Sequence, residues 1–148
     1  MAKAKSYMPE GLRSVTSHLV VKNALDSIEF YKKAFGANCS FHALAEDGKR
    51  VMHANIELFG GEVMLHDEFP EFGGNVLSPL SRGGASMTIN INLAKPGDVD
   101  AAITKAKSAG AEVLLSAEDM FWGARYGQVR DPFGHIWAFN APLQETAP

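Results

Sequence analysis

The chain has 148 residues, of which 46% are hydrophobic and 21% are charged, and its formal net charge at pH 7 is −3. These proportions are typical of one globular domain, exclude a largely disordered chain, and lack the basic excess of nucleic-acid-binding proteins. The single cysteine, Cys39, cannot form an internal disulfide, and no apolar run approaches the roughly 20 residues of a membrane span.

The chain begins with a lysine-containing segment that has no apolar stretch, so we expect no secretory signal and a cytoplasmic protein. After a strand over 15–21, a helix is predicted because apolar side chains recur every three or four residues. Asn23 is the expected N-cap of this helix, and Gly36 suits a left-handed C-terminal cap. The apolar positions of the helix are Leu25, Ile28, Tyr31 and Phe35.

Three more strands complete the first half, and the second half repeats the same order of elements. The remaining strands of the first half are predicted at about 38–46, 50–58 and 62–67. A segment rich in Gly, Pro and Ser predicts a loop over 69–84. The helix of the second half has Asp98 as its expected N-cap. The strands of the second half are predicted at about 85–92, 112–117, 124–131 and 135–140.

The two halves are related by an internal repeat. Gly36 and Gly110, which end the two predicted helices, are 74 positions apart, and the glycines of two predicted turns have the same spacing. Neither half alone offers enough core to be stable. We therefore predict an α+β chain with two tandem βαβββ modules, at about 13–68 and 85–142, that form a curved mixed sheet within one domain over 1–148.

Alternation along the strands separates an apolar face from a polar face. In the third strand, the apolar positions are Met52, Ala54, Ile56 and Leu58, and the opposite positions are Val51, His53, Asn55 and Glu57. Trp137 and Phe139 in the last strand are expected in the core. A sheet with one polar face can curve that face around a ligand.

This plan and two local patterns resemble the vicinal oxygen chelate superfamily, which includes glyoxalase I, bleomycin- and fosfomycin-resistance proteins and extradiol dioxygenases. The patterns are IEFYKKAFG at 28–36, similar to the family's helix that ends in glycine, and DPFGHIW at 131–137, similar to its D-P-x-G hairpin. Three further patterns resemble the PhnB-like branch: HANIE at 53–57, MLHDEFP at 64–70 and FWGARYG at 121–127. The resemblance covers about 13–142 and implies the glyoxalase/bleomycin resistance fold.

The resemblance also implies where a metal ion would be held. The family's ligands are His or Gln and Glu from the first and last strand of each module. The corresponding positions here carry Thr16, Met64, Ser86 and Ala138. These are not the usual ligands of a divalent metal, so we expect no metal and no other cofactor. The alternative is a rebuilt metal site that uses His18, His53 and His66, which alternation places on the polar face.

The leading hypothesis is a protein that binds a small organic molecule in a concave pocket without the usual metal site. Sequestration of an antibiotic is one version that the resemblance implies, and a homodimer is another implication, with pockets that can include both copies. Trp122 and Tyr126 can stack on a planar ligand, and Arg125 can hold a carboxylate or phosphate. The predicted ligand-binding residues are Thr16, His18, His53, Asn55, His66, Thr88, Trp122, Arg125 and Tyr126.

Two other functions remain open at this point. One is a metal-dependent lyase or dioxygenase of the glyoxalase type, in which a divalent ion polarises substrate oxygens. Glu57 and His53 are then the candidate catalytic residues, with Glu57, Asp67 and Glu68 expected to form an acidic group near the strand ends. The other is an interaction protein whose pocket is filled by its own side chains.

Overall fold

The computed structural model describes residues 13–144. The first module contains β1 (Ser17–Val21), α1 (Ala24–Phe35), β2 (Asn38–Leu44), β3 (Val51–Leu58) and β4 (Gly61–Asp67). The connecting segment contains a 3-10 turn (Pro70–Phe72) and α2 (Pro79–Arg82). The second module contains β5 (Thr88–Asn92), α3 (Pro96–Ala109), β6 (Glu112–Asp119), β7 (Ala124–Arg130) and β8 (Ile136–Pro142). The prediction about a secretory signal falls on residues 1–12, outside the described range.

The strands form two four-stranded mixed sheets, one in each module. Their strand orders are β1-β4-β3-β2, here called the N-sheet, and β5-β8-β7-β6, here called the C-sheet. In each sheet the first strand of the module runs parallel to the last, and the other pairs are antiparallel. The α+β prediction of two βαβββ modules is confirmed.

Different features stabilise the two ends of α1. Gly36 adopts the predicted left-handed conformation, with φ of 64°, which a residue without Cβ does at no steric cost. Asn23 occupies the N-cap position as predicted, but its backbone is left-handed and its side chain makes no capping hydrogen bond. The Ala24 N–H donates instead to Asp67 Oδ1 at 2.9 Å, and Asp67 Oδ2 accepts from the Val51 N–H at 2.7 Å.

The structure corrects two further predictions about secondary structure. The predicted loop over 69–84 contains α2, which forms because Ser78 Oγ accepts a hydrogen bond from the Ser81 N–H and a proline follows Ser78. Helix α3 begins before the predicted N-cap, Asp98, which lies in its first turn. There Asp98 Oδ2 accepts from the Lys95 N–H at 3.1 Å, so it still satisfies the helix start.

One hydrophobic core is shared by both modules. Helices α1 and α3 pack against each other, and Phe35 of α1 lies 4.7 Å from the Trp137 ring and 5.9 Å from the Phe139 ring, centroid to centroid. Trp137 and Phe139 are fully buried, as predicted. Tyr31 of α1 donates a hydrogen bond of 2.6 Å to Asp131 of the β7–β8 turn. The apolar face of each sheet therefore lies against this core, and the polar face of each sheet points away from it.

Met52, which alternation predicts on the apolar side of the third strand, is exposed. In β3 the cause is an extra residue. Ala43 pairs with His53, and Leu44 pairs with Val51, so Met52 has no partner in the ladder. Such a bulge reverses the alternation locally, and Val51 is buried in place of Met52. Among residues 13–144, no helix is long and apolar enough to cross a membrane.

Candidate functional site

The polar face of the N-sheet forms one wall of an open groove with a volume of about 830 Å³. Three of the predicted ligand-binding residues, Thr16, His53 and Asn55, line it, as does the candidate catalytic residue Glu57. Phe41 of the edge strand β2 also lines the groove. All of the described residues that line the groove belong to the first module. The second module therefore does not cover the groove, which is open on the side away from the core.

Three imidazole rings lie together on this polar face. The His18 ring is 4.7 Å from the His66 ring and 5.7 Å from the His53 ring, centroid to centroid, and both pairs meet edge to face. The strand register explains the cluster, because His18 pairs with Met64 and His66 is two residues further along β4 on the same face. Alternation in the sequence predicts this common orientation.

Hydrogen bonds fix which ring nitrogens carry protons. His53 Nε2 donates to the side-chain oxygen of Asn55 at 2.7 Å, and His66 Nδ1 donates to the backbone oxygen of Asp67. In the neutral form of each ring, the other nitrogen, Nδ1 of His53 and Nε2 of His66, is an acceptor. Burial, and then the neighbouring His66 and His53, lower the pKa of His18, so its ring is neutral at neutral pH.

The donors present do not fit the family's metal site. Thr16 Oγ1 donates to the backbone oxygen of Arg13, Met64 and Ala138 lie in different sheets, and Ala138 offers only a methyl group. Residues 13–144 contain no group of three or more His, Cys, Asp and Glu side chains placed to hold a metal ion.

The predicted acidic group does not form a unit. Asp67 is buried and holds the start of α1, as described above. Glu68 Oε1 accepts from the Ser78 N–H at 2.8 Å in the connecting segment. Of these three carboxylates, Glu57 faces the groove, where its Oε2 accepts a hydrogen bond from the side chain of Asn38 at 3.1 Å.

The predicted residues of the second module lie on the C-sheet. Thr88 and Tyr126 occupy its polar face, where the Tyr126 hydroxyl accepts a hydrogen bond of 2.8 Å from Gln128. The Trp122 ring meets Tyr126 edge to face at 5.5 Å and is half exposed. Its neighbour Phe121 is 98% exposed, so an aromatic pair forms the tip of the β6–β7 turn.

Arg125 lies on the opposite side of the C-sheet, against α3. Its Nε and Nη2 donate to the two carboxylate oxygens of Asp100 at 2.6 and 2.8 Å, and its Nη1 donates to Asp119 at 2.8 Å. Gly127, two residues on, faces the same helix, because a Cβ there would lie 2.3 Å from Ile103 Cδ1. Arg125 is therefore satisfied within the protein and is separated from Tyr126 by the sheet.

Most of the described lining residues were not among the predicted site residues, and they include Arg13, Phe41 and Glu62. The spacing of β2 hid Phe41, because the register shift between Cys39 and Phe41 changes which side chains face the groove. Arg13 precedes β1 and belongs to no periodic pattern, so no sequence signal marks it.

Comparison with known proteins places the chain in a family. The family model described as the Glyoxalase/Bleomycin resistance protein/Dioxygenase superfamily matches residues 12–139. Protein Mb0911c of Mycobacterium bovis is 42% identical over 134 residues, which cover 90% of this chain and 86% of that one.

Solved structures show the same fold. The Arabidopsis thaliana gene product At5g48480 is 29% identical, with a TM-score of 0.66 over 86% of this chain and 98% of that one. The PhnB protein of Bacillus cereus is 17% identical, with a TM-score of 0.65 over 87% and 99% of the two chains, and is similar in fold alone. Together with the two βαβββ modules, the match over residues 12–139 shows that this chain belongs to the Glyoxalase/Bleomycin resistance protein/Dioxygenase superfamily.

Proposed function

We propose that this chain binds a small organic molecule on the polar face of the N-sheet through its own side chains, without a metal ion. The groove at this face carries the proposal. Its volume of about 830 Å³ lies within the range of small-molecule sites. It combines an apolar ring, Phe41, with fixed polar groups on His53 and Asn55, and that combination orients a ligand of mixed polarity.

The histidine cluster supports a neutral binding surface. With its pKa lowered, the His18 ring adds no positive charge to this face at neutral pH. In their neutral forms, His53 and His66 offer hydrogen-bond acceptors at Nδ1 and Nε2, and of the three histidines His53 lines the groove. Such atoms accept hydrogen bonds from hydroxyl or amine groups of a ligand.

We also propose that a second copy of the chain completes the pocket. Both polar faces point away from the core, and exposed aromatic side chains lie at their rims. Phe41 is 54% exposed beside the N-sheet groove, and Phe121 and Trp122 are 98% and 51% exposed at the C-sheet. If the C-sheet of one copy covered the N-sheet of another, Tyr126 and Thr88 would join the same pocket as His53. Sedimentation analysis of the wild type against Phe121→Ser tests this arrangement, which predicts a dimer that the substitution weakens.

Membership of the PhnB-like branch is proposed from the patterns at 53–57, 64–70 and 121–127. Sequestration of a ligand needs no catalytic group. This version of the function agrees with the groove, because the described hydrogen bonds of Glu57 and His53 join them to asparagines and not to each other.

The test is a titration of the ¹⁵N-labelled protein with small amines, carboxylic acids and neutral aromatic compounds, with and without EDTA. The proposal predicts shifts at the amides of Ser40, His53 and Asn55 that EDTA does not change. Shifts that arise only after zinc, nickel or iron is added would favour the metal-dependent alternative at His18, His53 and His66. No shift at the groove with any compound would overturn the proposal.

A further inference from the structure

We propose that the N-sheet groove selects a ligand with a cationic amine at one end and an oxygen acceptor on a planar ring at the other. This inference rests on the proposed binding function and names the chemical class of the ligand. It depends on the charges at one end of the groove, on one buried amide, and on the strand register that sets their spacing.

Two carboxylates face each other at one end of the groove. Glu57 of β3 and Glu62 of β4 are directly paired across the hairpin, and both line the groove. Like charges at directly opposed positions of an antiparallel pair repel each other. None of the ion pairs within residues 13–144 involves either carboxylate. A bound ammonium group between them would remove this repulsion.

Asn55 supplies a second and independent feature. Asn55 is only 6% exposed, and its side-chain oxygen accepts a hydrogen bond from His53. Its amide nitrogen donates to none of the described residues, yet no fully buried side-chain atom among them lacks a partner, so solvent reaches this nitrogen beside the groove that Asn55 lines. A ligand oxygen can therefore replace water at this donor.

The register places an apolar surface beside that donor. Phe41 pairs directly with Asn55 across β2 and β3, and its ring is 54% exposed. Asn55 and Glu57 are two residues apart on one face of β3, a separation of about 7 Å. A ring that packs on Phe41 can therefore place an oxygen at Asn55 while an amine on a short chain reaches the carboxylates.

The charge of the groove favours a cation over an anion. Of the described residues that line it, Arg13 carries the one permanent positive charge, against the two carboxylates. Arg13 lies in the segment before β1, so it is not part of the β3–β4 hairpin that carries the acidic pair.

Tyramine is the probe that matches this arrangement, because it has a phenol oxygen and an amine at opposite ends of a ring and short chain. Its matched controls are 4-ethylphenol, which lacks the amine, and 3-(4-hydroxyphenyl)propionate, which carries a carboxylate in its place. Dissociation constants are measured from ¹⁵N amide shifts of the full chain at low salt. We expect tyramine to bind at least about fivefold more tightly than 4-ethylphenol, and the carboxylate to bind most weakly.

The double variant Glu57→Gln with Glu62→Gln should lower tyramine affinity to that of 4-ethylphenol and leave 4-ethylphenol binding unchanged. The matched control is Glu46→Gln, which neutralises an exposed carboxylate in the β2–β3 turn and should change neither affinity. Equal binding of all three probes at the groove would overturn the charge selection while the proposed function stands. If no probe shifts the amides of His53 and Asn55, the proposed function fails as well.

Discussion

The hydrogen bond from Tyr31 to Asp131 joins the two modules, and removing it with Tyr31→Phe tests how they are held together. Both side chains are buried, and the donor–acceptor distance is 2.6 Å. Burial, and then Asp131, raise the pKa of the Tyr31 hydroxyl, so it stays protonated and remains a donor. A hydrogen bond to a charged group contributes about 1.5–3 kcal/mol.

The loss in the free energy of unfolding should lie near the middle of that range. Asp131 keeps its bonds from the Trp137 ring nitrogen at 2.9 Å and from two backbone N–H groups, so the carboxylate does not become unpaired. We therefore expect Tyr31→Phe to lower the free energy of unfolding by about 2 kcal/mol. For a chain of this length, that corresponds to a fall in Tm of about 4–8 °C.

Urea denaturation followed by circular dichroism, together with calorimetry, measures both quantities. The matched control is Tyr126→Phe, which removes a partly exposed hydroxyl that accepts from Gln128. That control should cost only about 0.5 kcal/mol, the lower limit for a neutral hydrogen bond. If the two variants have equal stability, the bond between Tyr31 and Asp131 does not hold the modules together.

Three further predictions concern packing, pH and charge. Gly127→Ala should destabilise the protein by about 1–3 kcal/mol in urea denaturation, because the new Cβ would lie 2.3 Å from Ile103 Cδ1. Unchanged stability of this variant would contradict the close packing of β7 against α3. The pKa of His18 is lower in the folded protein than its ordinary 6.5, so the unfolded chain takes up the proton first and stability falls as the pH drops below that value. Between pH 7 and pH 5, the Tm of His18→Gln should therefore fall less than the Tm of the control variant His42→Gln. Identical profiles of Tm against pH for the two variants would refute protonation of His18 as the cause. Arg125→Gln should leave tyramine binding at the N-sheet unchanged in the same amide titration, whereas a large loss would place Arg125 in the site.

The sequence predicted the elements well where local patterns determine them. Strand β8 and helix α1 follow from alternation, helical spacing and a glycine at the helix end. Local irregularities were not predictable in this way, because the extra residue at Met52 changes the facing of its neighbours without a mark in the composition. The role of Asp67 was missed for a similar reason, since its partners are backbone groups distant in sequence.

The candidate site was predictable only within one sheet. Alternation brought His18, His53 and His66 to one face, because each lies at the same phase of its strand. Arg125 and Tyr126 are adjacent in a strand, so they point to opposite faces, and tertiary packing against α3 decides which one faces the helix. The outward direction of both polar faces depends on the packing of α1 against Trp137, which no local pattern records.

The most direct test of metal-free binding at the N-sheet groove is a crystal structure of the protein with tyramine, collected with anomalous data above and below the zinc, nickel and iron edges. We expect tyramine density within hydrogen-bonding distance of Asn55 Nδ2 and no anomalous peak among His18, His53 and His66. A metal ion bound by those histidines, or a groove filled by the protein's own side chains, would contradict this expectation.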